Sequence, residues 1–116
     1  MVAMARQWRM YATAAGTKPV RKFIDALSDE DAAVVIDEMR AVARTIARAS
    51  HLRGDIYEVR AFGASEGFRI LFAKEGRQGH VLLGLTAFSK KTQKAPKAEL
   101  DLAEKRLRDW RSRGAG

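Results

Sequence analysis

One carboxylate and several cations fall on neighbouring extended segments in the second half of this chain. Side chains alternate along a strand, so Glu58 and Arg60 share one face while Tyr57, Val59 and Ala61 take the other. On the following run Phe68, Ile70 and Phe72 form the apolar set, which puts Arg69 on the opposite face, and a hairpin brings it beside Glu58 and Arg60. The next apolar run ends in Lys90, Lys91, Lys94 and Lys97. A carboxylate among cations suits cleavage of RNA through its own 2′-hydroxyl. That reaction needs a base for the hydroxyl proton, cations for the charge on the phosphorane and an acid for the leaving 5′-oxygen. Glu58 is the available base, Arg60 and Arg69 can each grip two phosphate oxygens, and a lysine crowded by like charge has its pKa pushed down towards a useful range. The expected catalytic set is therefore Arg69, Lys90, Lys91, Arg60 and Glu58 on an open sheet face, with Lys94 and Lys97 as further RNA contacts and no metal or other cofactor. The plainer alternative for Glu58 is a surface ion pair worth only ~0–1 kcal/mol.

These residues need a scaffold, and the periodicities supply one. Gln7 to Ala12 alternates with period two and reads as a first strand. Thr17 is the expected cap of a short helix from Lys18, with Pro19 in its first turn and Val20, Phe23, Ile24 and Leu27 on one face. Ser28 followed by Asp29, Glu30 and Asp31 caps a longer helix, acidic residues meeting the positive end of its dipole. Val35, Met39, Val42 and Ile46 make its buried stripe, and Arg40, Arg44 and Arg48 line another face that is usually only solvated. Ile56 to Phe62, Phe68 to Lys74 and His80 to Phe88 read as strands joined by short glycine-bearing hairpins. Pro96 then opens a last helix with Leu100, Ala103, Leu107 and Trp110 on one side. The expected fold is α+β: a mainly antiparallel four-stranded sheet with two N-terminal helices and a C-terminal helix.

Composition narrows the function classes. The 116 residues suit one domain, 1–116, with a single core. The net charge of +8 favours an acidic partner, and +5 of it lies in 86–116, where nine Lys and Arg face four Asp and Glu. No cysteine is present, which removes disulfide frameworks and thiolate metal sites. His51 and His80 lack the spacing of a metal pair. No apolar run approaches the roughly 18 residues of a membrane helix, and residues 1–7 lack a signal-peptide core, so a cytoplasmic protein without membrane partners is expected.

The string Phe88-Ser89-Lys90-Lys91-Thr92-Gln93-Lys94-Ala95-Pro96, preceded by Tyr57-Glu58-Val59-Arg60 and Phe68-Arg69-Ile70-Leu71-Phe72, resembles the phage-derived Gp49-like (HigB-type) branch of the RelE/ParE toxin superfamily. The resemblance extends from Trp8 to Trp110. It implies a RelE-like fold and a ribosome-dependent mRNA endonuclease acting on mRNA at the ribosome, held inactive by a cognate helix-turn-helix antitoxin. It also implies charged residues at Glu58 and Arg60, an arginine at Arg69, and the Lys90-Lys91 pair where other branches have basic or His-Tyr endings. The branch usually has Thr-Pro where this chain has Ala95-Pro96, so a cap worth ~1 kcal/mol is missing from the last helix. The alternative is a non-catalytic basic nucleic-acid-binding module, or a degenerate toxin that retains only antitoxin binding.

Overall fold

The computed structural model describes residues 5–90 and 95–114. Its elements run β1 (Gln7–Met10), α1 (Pro19–Asp25), α2 (Asp29–Arg44), β2 (Ser50–Arg53), β3 (Ile56–Phe62), β4 (Gly67–Glu75), β5 (Val81–Lys90) and α3 (Lys97–Ser112), with 3-10 turns at Ile46–Arg48 and Arg77–Gly79. The α+β class is as expected, but the sheet has five strands in the order β1-β5-β4-β3-β2, and β1 lies parallel to β5 while the other pairs are antiparallel. The strand absent from the periodicity, β2, is four residues long at a sheet edge, too short and too polar to alternate visibly.

Local chemistry sets the helix ends. Ser28 Oγ accepts a hydrogen bond from the Asp31 amide at 3.1 Å, the expected cap of α2. The expected Thr17 cap does not form. Pro19 holds its predecessor in extended backbone, so Lys18 occupies the cap position at φ −110° and ψ 95°, and Thr17 instead closes a turn onto Thr13. Pro96 starts α3 without a side-chain cap.

The sheet carries helices on both faces, which corrects the expectation of an open face beside Arg69. One face is covered by α1 and α2, with Val20, Val35, Met39 and Val42 packed on Val59, Phe68, Ile70, Phe72 and Leu82. Trp8 meets Phe72 edge to face at 5.1 Å, and its indole N–H donates to the Met39 carbonyl at 2.7 Å. On the other face α3 lays Ala103, Leu107 and Trp110 against Ile56, Leu71, Ala73, Leu83 and Leu85. Tyr11 joins this second cluster, and its hydroxyl donates to Asp109 Oδ2 at 2.6 Å, tying the edge strand to α3. The Arg40, Arg44 and Arg48 stripe is exposed, with Arg48 lying past the end of α2 and paired to Glu38 at 2.9 Å.

Candidate active site

A bulge in β5 decides which residues reach the second face. Leu71 pairs with Thr86 and Phe72 with Gly84, so Leu85 is an extra residue and the alternation of β5 shifts by one beyond it. Before the bulge Leu83 faces α3; after it Phe88 and Lys90 do so, where unbroken alternation from Leu83 would have turned Ala87 and Ser89 that way. The displaced Leu85 carbonyl accepts from Arg106 Nη1 of α3 at 2.8 Å. Register then gives three cross-strand rows on one face: Glu58–Leu71–Thr86, Arg60–Arg69–Phe88 and Phe62–Gly67–Lys90. Helix α3 covers the end of this face that holds Ile56 and Leu83, and these rows fill the other end.

Glu58, Arg60 and Arg69 converge as their parity required and the bulge adds Lys90, but all of them except Arg60 are buried. Glu58 is 1% exposed, Arg69 4% and Lys90 7%. Arg60 Nε donates to Glu58 Oε1 at 2.8 Å, and Arg69 Nε lies 3.5 Å from Glu58 Oε2. A carboxylate this deep is tolerable because two guanidiniums flank it; removing either takes away one of its two ionic partners. The simple surface ion pair is therefore not what Glu58 makes.

Lys90 is the odd member. Its Nζ is buried and has no hydrogen-bond partner among the described residues. Burial is the largest cause holding its pKa below the usual 10.5; the nearby Arg69 and Arg60 guanidiniums push the same way and Glu58 opposes them. An ammonium in this position is stabilised by any anion that settles beside it.

The other expected residues fall elsewhere. Lys97 is at the start of α3, its side chain 82% exposed and paired with Asp101 at 3.0 Å. Lys91 and Lys94 lie outside the described residues. Tyr57 is half-buried on the α1/α2 face, opposite to Glu58 and Arg60 as its parity implies, and stacked on Phe72 at 5.7 Å. His51 lies against Tyr57 on that same face, its ring tilted 40° and 4.9 Å away, and His80 precedes β5 at its far end, so neither meets the cluster. Among the described residues no group of three His, Cys, Asp or Glu is placed to hold a metal.

Sequence reasoning passed over Phe62 and Gly67. Phe62 is 69% exposed and sits two residues beyond Arg60, with the Arg69 guanidinium carbon 5.8 Å from its ring centroid. The same alternation that linked Glu58 to Arg60 reaches Phe62, so the signal was present.

Two likenesses to known proteins bear on this arrangement. The family model of phage-derived Gp49-like proteins matches residues 22–108, a span that includes Glu58, Arg60, Arg69, Lys90 and Lys91. The chain is also 33% identical over 108 residues to a protein of Mycobacterium tuberculosis named probable endoribonuclease HigB1, in strain CDC 1551 / Oshkosh and in strain ATCC 25618 / H37Rv. The match covers 90% of this chain and 84% of that protein.

Proposed function

The chain belongs to the phage-derived Gp49-like family, and on that footing we propose that it is the endoribonuclease of a toxin–antitoxin pair, cutting mRNA at the ribosome. The observation that carries the reading is the buried Lys90 ammonium, without a hydrogen-bond partner among the described residues, beside an Arg–Glu–Arg cluster. A phosphate is the anion such a group lacks.

The proposed reaction needs no group beyond these side chains. A phosphate entering between Arg69 and Lys90 competes with Glu58 for guanidinium. Arg60, with 39% of its side chain exposed, is the cation able to swing outward and release a carboxylate oxygen. Glu58 then takes the 2′-hydroxyl proton as the 2′-oxygen bonds to phosphorus. Arg69 and Lys90 hold the charge of the phosphorane, where preorganised cations in a dry site act most strongly. The bond from phosphorus to the 5′-oxygen breaks, and Lys90 supplies the proton to that oxygen. The lowered pKa of its ammonium makes it a better acid than an ordinary lysine. The products are a 2′,3′-cyclic phosphate and a 5′-hydroxyl.

A helix-turn-helix antitoxin and the ribosome are the proposed partners, the first from the family and the second from the cytoplasmic mRNA substrate. The rival reading, a nucleic-acid binder or degenerate toxin without catalysis, gives Glu58 no task. Expression of this chain alone, followed by mapping of RNA ends, separates the two: the catalytic reading expects growth arrest and new 5′-hydroxyl ends that vanish with Lys90→Met. Glu58→Gln refines the roles. A base is lost with the carboxylate, whereas a residue that only orients Arg60 and Arg69 keeps much of its function as an amide.

A further inference from the structure

Of the large apolar side chains among the described residues, Phe62 is the most exposed, at 69%, and it stands on the same sheet face as the buried charges. Its row runs Phe62–Gly67–Lys90 across three strands: a ring at one end, an ammonium at the other and no side chain between. A Cβ on Gly67 would lie 3.0 Å from the Lys90 carbonyl oxygen and 3.4 Å from Arg69 Nη1. The backbone of Gly67 is not in the left-handed region, so what the glycine supplies there is room. The Arg69 guanidinium lies in the resulting notch, beside the Phe62 ring. Two strand spacings, about 9–10 Å, separate the strand of the ring from that of the lysine, a span of about one nucleotide.

We infer that Phe62 and Gly67 form a nucleobase subsite: an unpaired base stacks on the Phe62 ring while its phosphate lies across the Gly67 notch on Arg69 and Lys90. The inference rests on the endoribonuclease reading and specifies within it a single-stranded substrate held by its π-face. Every base has a π-face, so this platform tolerates any sequence and contributes position rather than base readout. Helix-paired RNA, whose bases are already stacked, gains nothing from it.

The test measures binding of the full chain to two probes that cannot be cleaved, a 2′-O-methyl oligonucleotide and an abasic backbone of equal length, across a range of salt. Phe62→Ala is expected to weaken the base-bearing probe by about 5- to 150-fold, the range of one base–aromatic stack, and to leave the abasic probe and the salt slope unchanged. Phe62→Trp is expected to restore binding, and Gly67→Val, which fills the notch, to weaken both probes. An unchanged affinity in Phe62→Ala, or an equal loss on both probes, overturns the subsite. Lys90→Met is the control for the underlying reading, with an expected flattening of the slope by about 0.7 on a single strand. If wild type binds neither probe, the subsite falls while cleavage at the ribosome is untouched; if Lys90→Met leaves the slope unaltered, the reading of Lys90 as a phosphate ligand falls and the subsite with it. A normal Lys90→Met response with an unresponsive Phe62→Ala overturns the subsite alone.

Discussion

Phe68 and Arg69 are adjacent on β4 and almost equally hidden, at 0% and 4% exposure, yet they stand in opposite kinds of interior. Phe68 faces α1 and α2, where apolar side chains continue from Ala61 at one end of the sheet to Phe72 and Leu82 at the other. Arg69 faces the α3 side, where along β4 the apolar residues stop at Leu71 and charge begins. The first face is completed by its helices. The second is half covered by α3, and beyond it lie buried charged groups already held in place, the arrangement the proposed chemistry calls for. Burial of apolar side chains stabilises the fold on both faces; burial of Glu58, Arg69 and Lys90 on the second costs stability, a cost expected of the proposed site.

The largest stability effect should come from the apolar face. Phe72 is fully buried, with Trp8 5.1 Å and Tyr57 5.7 Å from its ring. Phe72→Ala is expected to lower unfolding free energy by about 3–5 kcal/mol, read from urea denaturation. A loss below about 1 kcal/mol would mean that this layer is not packed as described.

Arg69→Ala follows. An arginine on an open face could be removed without disturbing the fold, but at 4% exposure it cannot, because among the described residues Glu58 then keeps only Arg60 as an ion-pair partner. A destabilisation of about 1–3 kcal/mol is expected, together with a fall in cleavage of about 10²–10³-fold. The double replacement Glu58→Leu with Arg69→Met removes both charges at once. It should recover most of the stability while remaining inactive, since apolar side chains often replace a buried ion pair without loss. A double variant no more stable than Arg69→Ala would remove the claimed contrast between the two faces.

Much of this contrast was legible in the sequence, and what was not has identifiable causes. Period-two alternation in Ile56–Phe62 and Gly67–Glu75 correctly sorted Glu58, Arg60 and Arg69 from Val59, Phe68 and Ile70, because a pleated strand leaves no other choice. Alternation could not reveal that Leu85 is bulged, since Val81 to Phe88 is apolar on both parities and a slip of one residue leaves no mark. Yet that slip is what turns Lys90 onto the side of Arg69. Nor could the stripe of Ala103, Leu107 and Trp110 say which side of the sheet it would cover, so Arg69 was expected in the open. The edge strand Ser50–Arg53 carries too few apolar residues to be seen without its partner Ile56–Phe62.

Lys90 offers a smaller effect with a definite sign. Its folded pKa lies below 10.5, so between that folded value and 10.5 the unfolded chain binds more protons and stability rises with pH. Below the folded pKa the full penalty of the buried ammonium is present. Lys90→Met removes it and is expected to stabilise the protein by about 1 kcal/mol at neutral pH, with the advantage shrinking as pH approaches 10.5. Urea denaturation of both proteins at neutral and alkaline pH checks this; an advantage that grows with pH contradicts the burial of the charged form.

The smallest effect belongs to Lys97, and it marks how far the charged site extends. Lys90 and Lys97 are both lysines of the basic C-terminal quarter, but one is 7% exposed beside Arg69 and the other has a side chain 82% exposed beside Asp101. That Asp101 carboxylate also accepts from Arg53 at 2.8 Å, so it is neutralised without Lys97. An exposed pair four residues apart on a helix contributes about 0.3–0.5 kcal/mol, and Lys97→Ala should change stability by no more than that. Its effect on RNA affinity discriminates more sharply. A solvated lysine that makes no phosphate contact releases no counterion, so the logarithmic salt slope should stay at the wild-type value where Lys90→Met reduces it by about 0.7. If Lys97→Ala flattens the slope as much as Lys90→Met does, the phosphate track continues from the sheet face onto the start of α3, and the division between the site and the helix that borders it has to be redrawn.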